Sequence, residues 1–326
     1  MTAVAAKAFE GTKLRLGEAR QQREQLEFKW TEHLSSVPWE FSLESDSPFE
    51  HRLMGHERRP VPPQLGLHFG MWLQQQRAAL DNALCACVGS RQGIFPPMRP
   101  NLLEFPIAES LTKFKKAKVM GSGAVDDPVS TVLEGYQPYR NHFMGNDQDP
   151  QLSPLYWLND LARKDRHRLM HVGIGSIQIS RNIFLYGGAD HEVTHVVGSD
   201  HILTGSTCVI GFRTAAALRS SKIRFLQKPK ILPDISDWIS VKSNVRTLSL
   251  GSSDPAKQME DVQMHMPLKY RMAVVEDLVL EICRALGALA NLHPDYLRHF
   301  GSSLYPTAYS FLSKEEEREL RRKNGG

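Results

Sequence analysis

Two apolar stripes of helical period, far apart in the chain, constrain its fold more than any other feature. From Gln64 to Val88, Phe69, Leu73, Leu80, Leu84 and Val88 recur at intervals of four and seven residues. Such intervals gather side chains on one face of a helix and scatter them over both faces of a strand, so the segment reads as a core helix. From Arg271 to Leu292 the stripe returns as Val274, Val275, Leu278, Ile282, Leu286 and Leu289. Between the stripes, from Gly173 to about Leu250, Ile, Val, Thr and Ser dominate with frequent glycine, which is a β-rich texture. The two helices share one core only if the chain leaves it, makes its strands and returns. The expectation is an α+β fold. A helical core (1–172 and 271–312) carries a β-rich unit (173–250) inserted before the closing C-terminal helix, and a charged tail (313–326) follows.

The remaining segments fill in that plan. Ala5 to Leu34 reads as a long, charge-rich helix with a thin apolar line at Leu14, Leu16 and Leu26. Strand candidates at Trp39–Leu43 and Glu50–Met54 precede the breaker run Arg59-Pro60-Val61-Pro62-Pro63. Short helices are expected at Ser110–Lys116 and Pro128–Glu134, the second opened by Asp127, and a longer one from Ser153-Pro154 to about His171. The β-rich stretch offers strands at Ser176–Ile179, Ile183–Tyr186, Leu203–Phe212, Ile223–Leu226 and Ile239–Leu248.

Composition narrows the function classes. No long uncharged apolar run is present, which excludes a membrane-spanning helix. Lys7, Glu10, Lys13 and Arg15 interrupt the N-terminus, so no export signal is read there and the chain is expected to be cytoplasmic. Cys85, Cys87, Cys208 and Cys283 make no Cys-x-x-Cys pair and read as reduced thiols. A formal charge of +4 permits a weak nucleic-acid contact without arguing for one. Nothing in the sequence names a partner, and homo-oligomerisation is left open.

Three charges lie in line with apolar stripes. Arg77 and Asp81 fall inside the stripe of the first core helix, and Asp165 extends the Leu158/Ala162/Leu169 face of a later one. A buried charge left unpaired costs several kcal/mol, so each needs a partner. One reading pairs Arg77 with Asp81 at i,i+4. The favoured reading packs the two helices together, with Arg77 on Asp165 and Asp81 on Arg166 or His167. The stretches Arg77-Ala78-Ala79-Leu80-Asp81, Tyr136-Gln137-Pro138-Tyr139 and Leu161-Ala162-Arg163-Lys164-Asp165-Arg166-His167-Arg168, with Phe105-Pro106-Ile107 between, resemble a widespread bacterial family of uncharacterised activity. The resemblance covers roughly Leu65 to His171. The family more often carries lysine where this chain has Arg166. It implies a fold and no chemistry.

The sharpest chemical signal is His191-Glu192-Val193-Thr194-His195-Val196-Val197-Gly198-Ser199-Asp200-His201, which resembles the zinc signature of metzincin metallopeptidases. On a helix, His191 and His195 lie one turn apart and share a zinc ion. Glu192 then reaches the metal-bound water as base, and Gly198 turns the chain so that His201 closes the site. The surrounding residues favour a strand instead. Val193, Thr194, Val196 and Val197 are β-branched, and Gly187-Gly188 stops any helix from entering upstream. On a strand the two histidines stand ~13 Å apart and cannot share a metal.

A second signal, Arg166-His167-Arg168-Leu169-Met170-His171, resembles the Arg-polar-x3-His motif of HEPN ribonucleases, in which Arg166 and His171 would act on a phosphate. The leading chemical expectation is a zinc-dependent, peptidase-like hydrolase with Glu192 as catalytic residue. The alternatives are a non-enzymatic interaction protein with structural ion pairs and a HEPN-like ribonuclease.

Overall fold

The computed structural model describes residues 3–140, 150–167, 171–178, 191–196, 203, 205–219, 222–223, 229–238, 267–293 and 296–297. Helices α1 (Ala3–Ser35) and α2 (Gln64–Gln92) lie side by side and antiparallel. Arg15 bonds Gln75 at 2.9 Å and His68 meets Gln22 at 2.8 Å along their shared seam. The buried line of α1 is Ala5, Ala8, Phe9, Thr12, Leu16, Ala19, Leu26 and Trp30, whereas Leu14 is 65% exposed. The expected line was therefore right at Leu16 and Leu26 and wrong at Leu14. Small residues carry this stripe, because alanine lets the two helices approach closely.

Helix α2 stops at Gly93, whose φ of 73° is the left-handed conformation that lets its N–H reach the Gly89 and Ser90 carbonyls. Two short helices follow, α3 (Leu111–Lys115) and α4 (Asp127–Gly135). Asp126, one residue before the expected cap, accepts from the Val129 N–H and opens α4. Helix α5 (Pro154–His167) and the closing helix α6 (Leu268–Leu289) pack on α2 and complete the helical core. Trp72, Phe69, Phe9 and Phe105 are its largest fully buried side chains.

Six strands are described: β1 (Trp39–Ser45), β2 (Glu50–Glu57), β3 (Gly173–Gln178), β4 (His191–Val196), β5 (Ser206–Thr214) and β6 (Lys230–Ile235). One sheet has the order β1-β2-β5-β4 and is antiparallel throughout, while β3 and β6 form an antiparallel pair of their own. The α+β class holds. The seam expected at residue 173 does not, because β2 pairs with β5 through Leu53↔Ile210 and His51↔Phe212. Strands from both sides of that boundary thus build one sheet. The candidates Ile183–Tyr186 and Ile239–Leu248, most of Ile223–Leu226 and the tail 313–326 lie outside the described residues. Among the described residues, no helix is long and apolar enough to cross a membrane.

Candidate functional site

The zinc string is the first test of the sequence reading. His191–Val196 is a strand, paired with β5 through His191↔Thr214, Glu192↔Arg213 and Val193↔Phe212. The register shifts between Val193 and His195, so a bulge also breaks the regular alternation there. At about 3.3 Å per residue the Cα atoms of His191 and His195 stand ~13 Å apart, against ~6 Å on a helix. The helix that would let them share a zinc ion with Glu192 as base is therefore replaced by an edge strand. Four β-branched neighbours explain why, since they favour a pleated strand over a two-turn helix. Exposed Glu192 lies opposite Arg213, which itself bonds Glu50. His201 and Gly198 lie outside the described residues, and among those described no three His, Cys, Asp or Glu side chains are grouped to hold a metal.

The ribonuclease reading meets a different obstacle. His171 is 1% exposed, with Nδ1 2.7 Å from Asp237 Oδ2 and Nε2 3.1 Å from the Leu161 carbonyl. Its ring also stands edge-on to Phe69 at 5.3 Å. A histidine with both nitrogens engaged inside the core has no face left for a phosphate. Arg166 belongs to α5, and its side chain lies outside the described residues.

The charge pairing also differs from the favoured expectation. Arg77 bonds Asp81 at 3.0 Å, Glu104 at 3.1 Å and the Phe105 carbonyl at 2.7 Å, and Asp81 accepts the Phe105 N–H at 2.8 Å. The pair thus clamps the 104–105 loop to α2, and Asp165 is not its partner. Asp165 meets α2 nearer its start, accepting from Gln74 at 3.1 Å beside Gly70. A Cβ on Gly70 would collide with that carboxylate, so the missing side chain is what admits it. The two helices do pack, but through Gly70 and Gln74. Gln137 of the Tyr136–Tyr139 stretch is fully buried, bonding Ala108 N, Pro106 O and Leu133 O and fixing the same loop.

A second buried polar centre, which joins three helices, was missed from sequence. Arg23 of α1 sends Nε to both oxygens of Glu276 on α6, at 3.0 and 3.1 Å, and the Trp72 indole of α2 donates to Glu276 at 2.8 Å. Three helices are thereby tied at one carboxylate. Burial pushes the Glu276 carboxyl above its ordinary value, and Arg23 and Trp72 draw it part of the way back. One helical turn earlier, Arg271 pairs with Asp234 at the end of β6, donates to the Trp238 carbonyl at 2.5 Å, and lies 4.7 Å from the Trp238 ring. Trp238 in turn packs with Phe69, Trp72 and Trp157. Arg23 and Glu276 are 253 positions apart, and no local spacing announces such a pair.

Two concavities are described. One, of about 360 Å³, lies at the end of α6 beside Tyr136 and Glu281, where part-burial and then the hydrogen bond to Glu281 push the Tyr136 phenol up to about 12. The other, a groove of about 810 Å³, runs along β1. Its lining is apolar apart from Glu40 and includes Leu34, Val37, Trp39, Phe41, Leu43 and Ile231. Val37 is 71% exposed and Leu34 36%, so apolar surface stands open to water here. No protein-family model, curated protein or solved structure matches this chain. A functional reading therefore rests on geometry alone.

Proposed function

We propose that the chain is a non-enzymatic interaction protein whose buried ion pairs are structural and whose binding surface is the β1 groove. The observation that carries this reading is the separation of charge from concavity. Among the described residues marked for chemistry, His171, Arg77 and Asp81 are engaged by protein groups, while the groove is apolar apart from the ion-paired Glu40 and holds none of them. A pocket of this size with an apolar lining suits binding better than acid–base work, which needs a poised titratable group within reach. The strand conformation of His191–Val196 supports the same reading. The test is metal content and peptide hydrolysis, measured on intact protein purified without chelator and on a His191→Ala/His195→Ala variant. The expected result is well below one zinc per chain in both and no peptide cleavage that the variant loses. One zinc per chain, lost in the variant together with a hydrolytic activity, would overturn it.

A further inference from the structure

The groove has a main-chain wall as well as apolar ones, and that wall identifies its occupant. In the β1–β2 pair the Pro38 carbonyl accepts from Arg58 N, and Asp46 N donates to the Glu50 carbonyl. Antiparallel ladders alternate, so the even-numbered residues of β1 bond β2 and the odd-numbered ones point their N–H and C=O the other way. Trp39, Phe41 and Leu43 therefore turn three amides and three carbonyls toward the free edge, where no described residue bonds them. These same residues line the groove. A lipid or small apolar ligand could fill the groove but could not satisfy a repeating row of donors and acceptors. A polypeptide strand does both.

Charge narrows the partner further. The outer face of β1 carries Glu40, Ser42 and Glu44, with no basic residue among them. Glu40 is paired with Arg58 through Oε2, and Arg52 of β2 stands opposite Glu44 but bonds Asp46, so Glu44 is the carboxylate of this face with no described ion pair. A strand laid beside β1 meets this face with every second side chain, and a basic residue beside Glu44 is favoured there while an acidic one is not. We infer that the β1 edge takes an extended polypeptide segment with apolar residues on one face and basic residues on the other. Its apolar side chains enter the groove and its main chain extends the sheet.

Val37 supports the assignment independently. It is a β-branched residue with φ of 50°, a conformation that disfavours such side chains, and it holds its isopropyl group 71% exposed on the groove wall. Glycine would relax the backbone there but leave the wall bare. Retained strain with an exposed apolar group is what a contact surface needs.

The inference rests on the interaction reading, yet the two fail separately, since bound zinc would remove that reading without touching peptide binding at β1. The test is fluorescence anisotropy with the intact chain and a labelled, capped octapeptide alternating valine and lysine. Two further probes carry N-methyl groups on the valines only or on the lysines only, which blocks one edge of the strand at a time. Saturable binding is expected, with one methylated peptide weaker by roughly tenfold or more and the other little changed, as loss of two or three hydrogen bonds requires. A valine–glutamate peptide should also bind at least roughly tenfold more weakly. Leu43→Arg should abolish binding while keeping the circular dichroism and melting temperature of the wild type. Equal binding of both methylated peptides would mean apolar docking without strand addition, and overturns the proposal. So would equal binding of the glutamate peptide, no binding at all, or a wild-type dimer that Leu43→Arg dissociates, which would make a second copy the occupant.

Discussion

The centre around Trp72 and the groove along β1 draw on the same kinds of side chain and use them in opposite ways. At the centre, Arg23, Glu276, Arg271, Asp234, His171 and Asp237 find their partners within the chain, and aromatic rings close over them. At the groove, apolar side chains line open space, and the main-chain groups of Trp39, Phe41 and Leu43 have no described partner. Buried charges that are matched hold a fold in one arrangement, whereas unmatched edges wait for a second chain. Strongly perturbed charges can mark a reactive site or a structural joint, and pairing tells the two apart. Here the joint is the better description.

The comparison breaks most easily at Glu276. Glu276→Ala leaves the buried Arg23 guanidinium with only the half-exposed Glu27 as counter-charge and orphans the Trp72 indole N–H, and the expected loss is toward the low end of about 3–5 kcal/mol in urea melts. If the pair is only structural, replacing both partners with apolar residues of similar volume should restore most of that loss. A double variant as unstable as the single one would show that the charges do something packing cannot.

Gly70→Ala is the next largest. The new methyl group meets the Asp165 carboxylate, and overpacking of this kind costs about 1–3 kcal/mol. Asp165→Ala in the same chain should relieve much of that cost. Arg77→Ala and Asp165→Ala, by contrast, should add independently, since Arg77 bonds Asp81 and Glu104 instead. Strong coupling between them in a denaturant cycle would revive the direct pair.

Val37→Gly separates stability from binding. Releasing a left-handed valine should raise stability by up to ~1 kcal/mol, offset in part by the entropy of an added glycine. The same change should weaken binding of the valine–lysine peptide. Lower stability in the melt would show that the residue is not strained.

The smallest effect concerns pH. Burial lowers the His33, His51 and His68 ring pKa values, so the folded chain keeps these rings neutral where the unfolded chain takes up protons. Stability from this source is present above the unfolded value of about 6.5 and is lost as pH falls from there through the folded values. Melting temperatures should decline on that acid limb, and His51→Asn should flatten it. A limb unchanged by the substitution would place the titration elsewhere.

The sequence was most legible where packing follows period. Helices α2 and α6 lie where their stripes put them, and the α+β class follows from the β-branched stretch between them. It was least legible where a site depends on topology. The histidine string has the spacing of a metal site, but only the backbone conformation decides whether that spacing means ~6 or ~13 Å, and its β-branched neighbours carried that information. The Arg23–Glu276 joint joins opposite ends of the chain, and Arg23 sits in a helix whose charges look uniformly solvated. That β1 is an edge strand depends on which strands pair, which no local pattern records.

Hydrogen exchange with mass-spectrometric readout on the intact protein, with and without the valine–lysine peptide, tests the central claim most directly. The Trp39, Phe41 and Leu43 amides should exchange fast in the free chain and slow sharply with peptide, while His191–Val196 stays unchanged. Protection that appears at His191–Val196 instead, or Trp39, Phe41 and Leu43 amides as protected without peptide as those of Glu40, Ser42 and Glu44, would contradict the account.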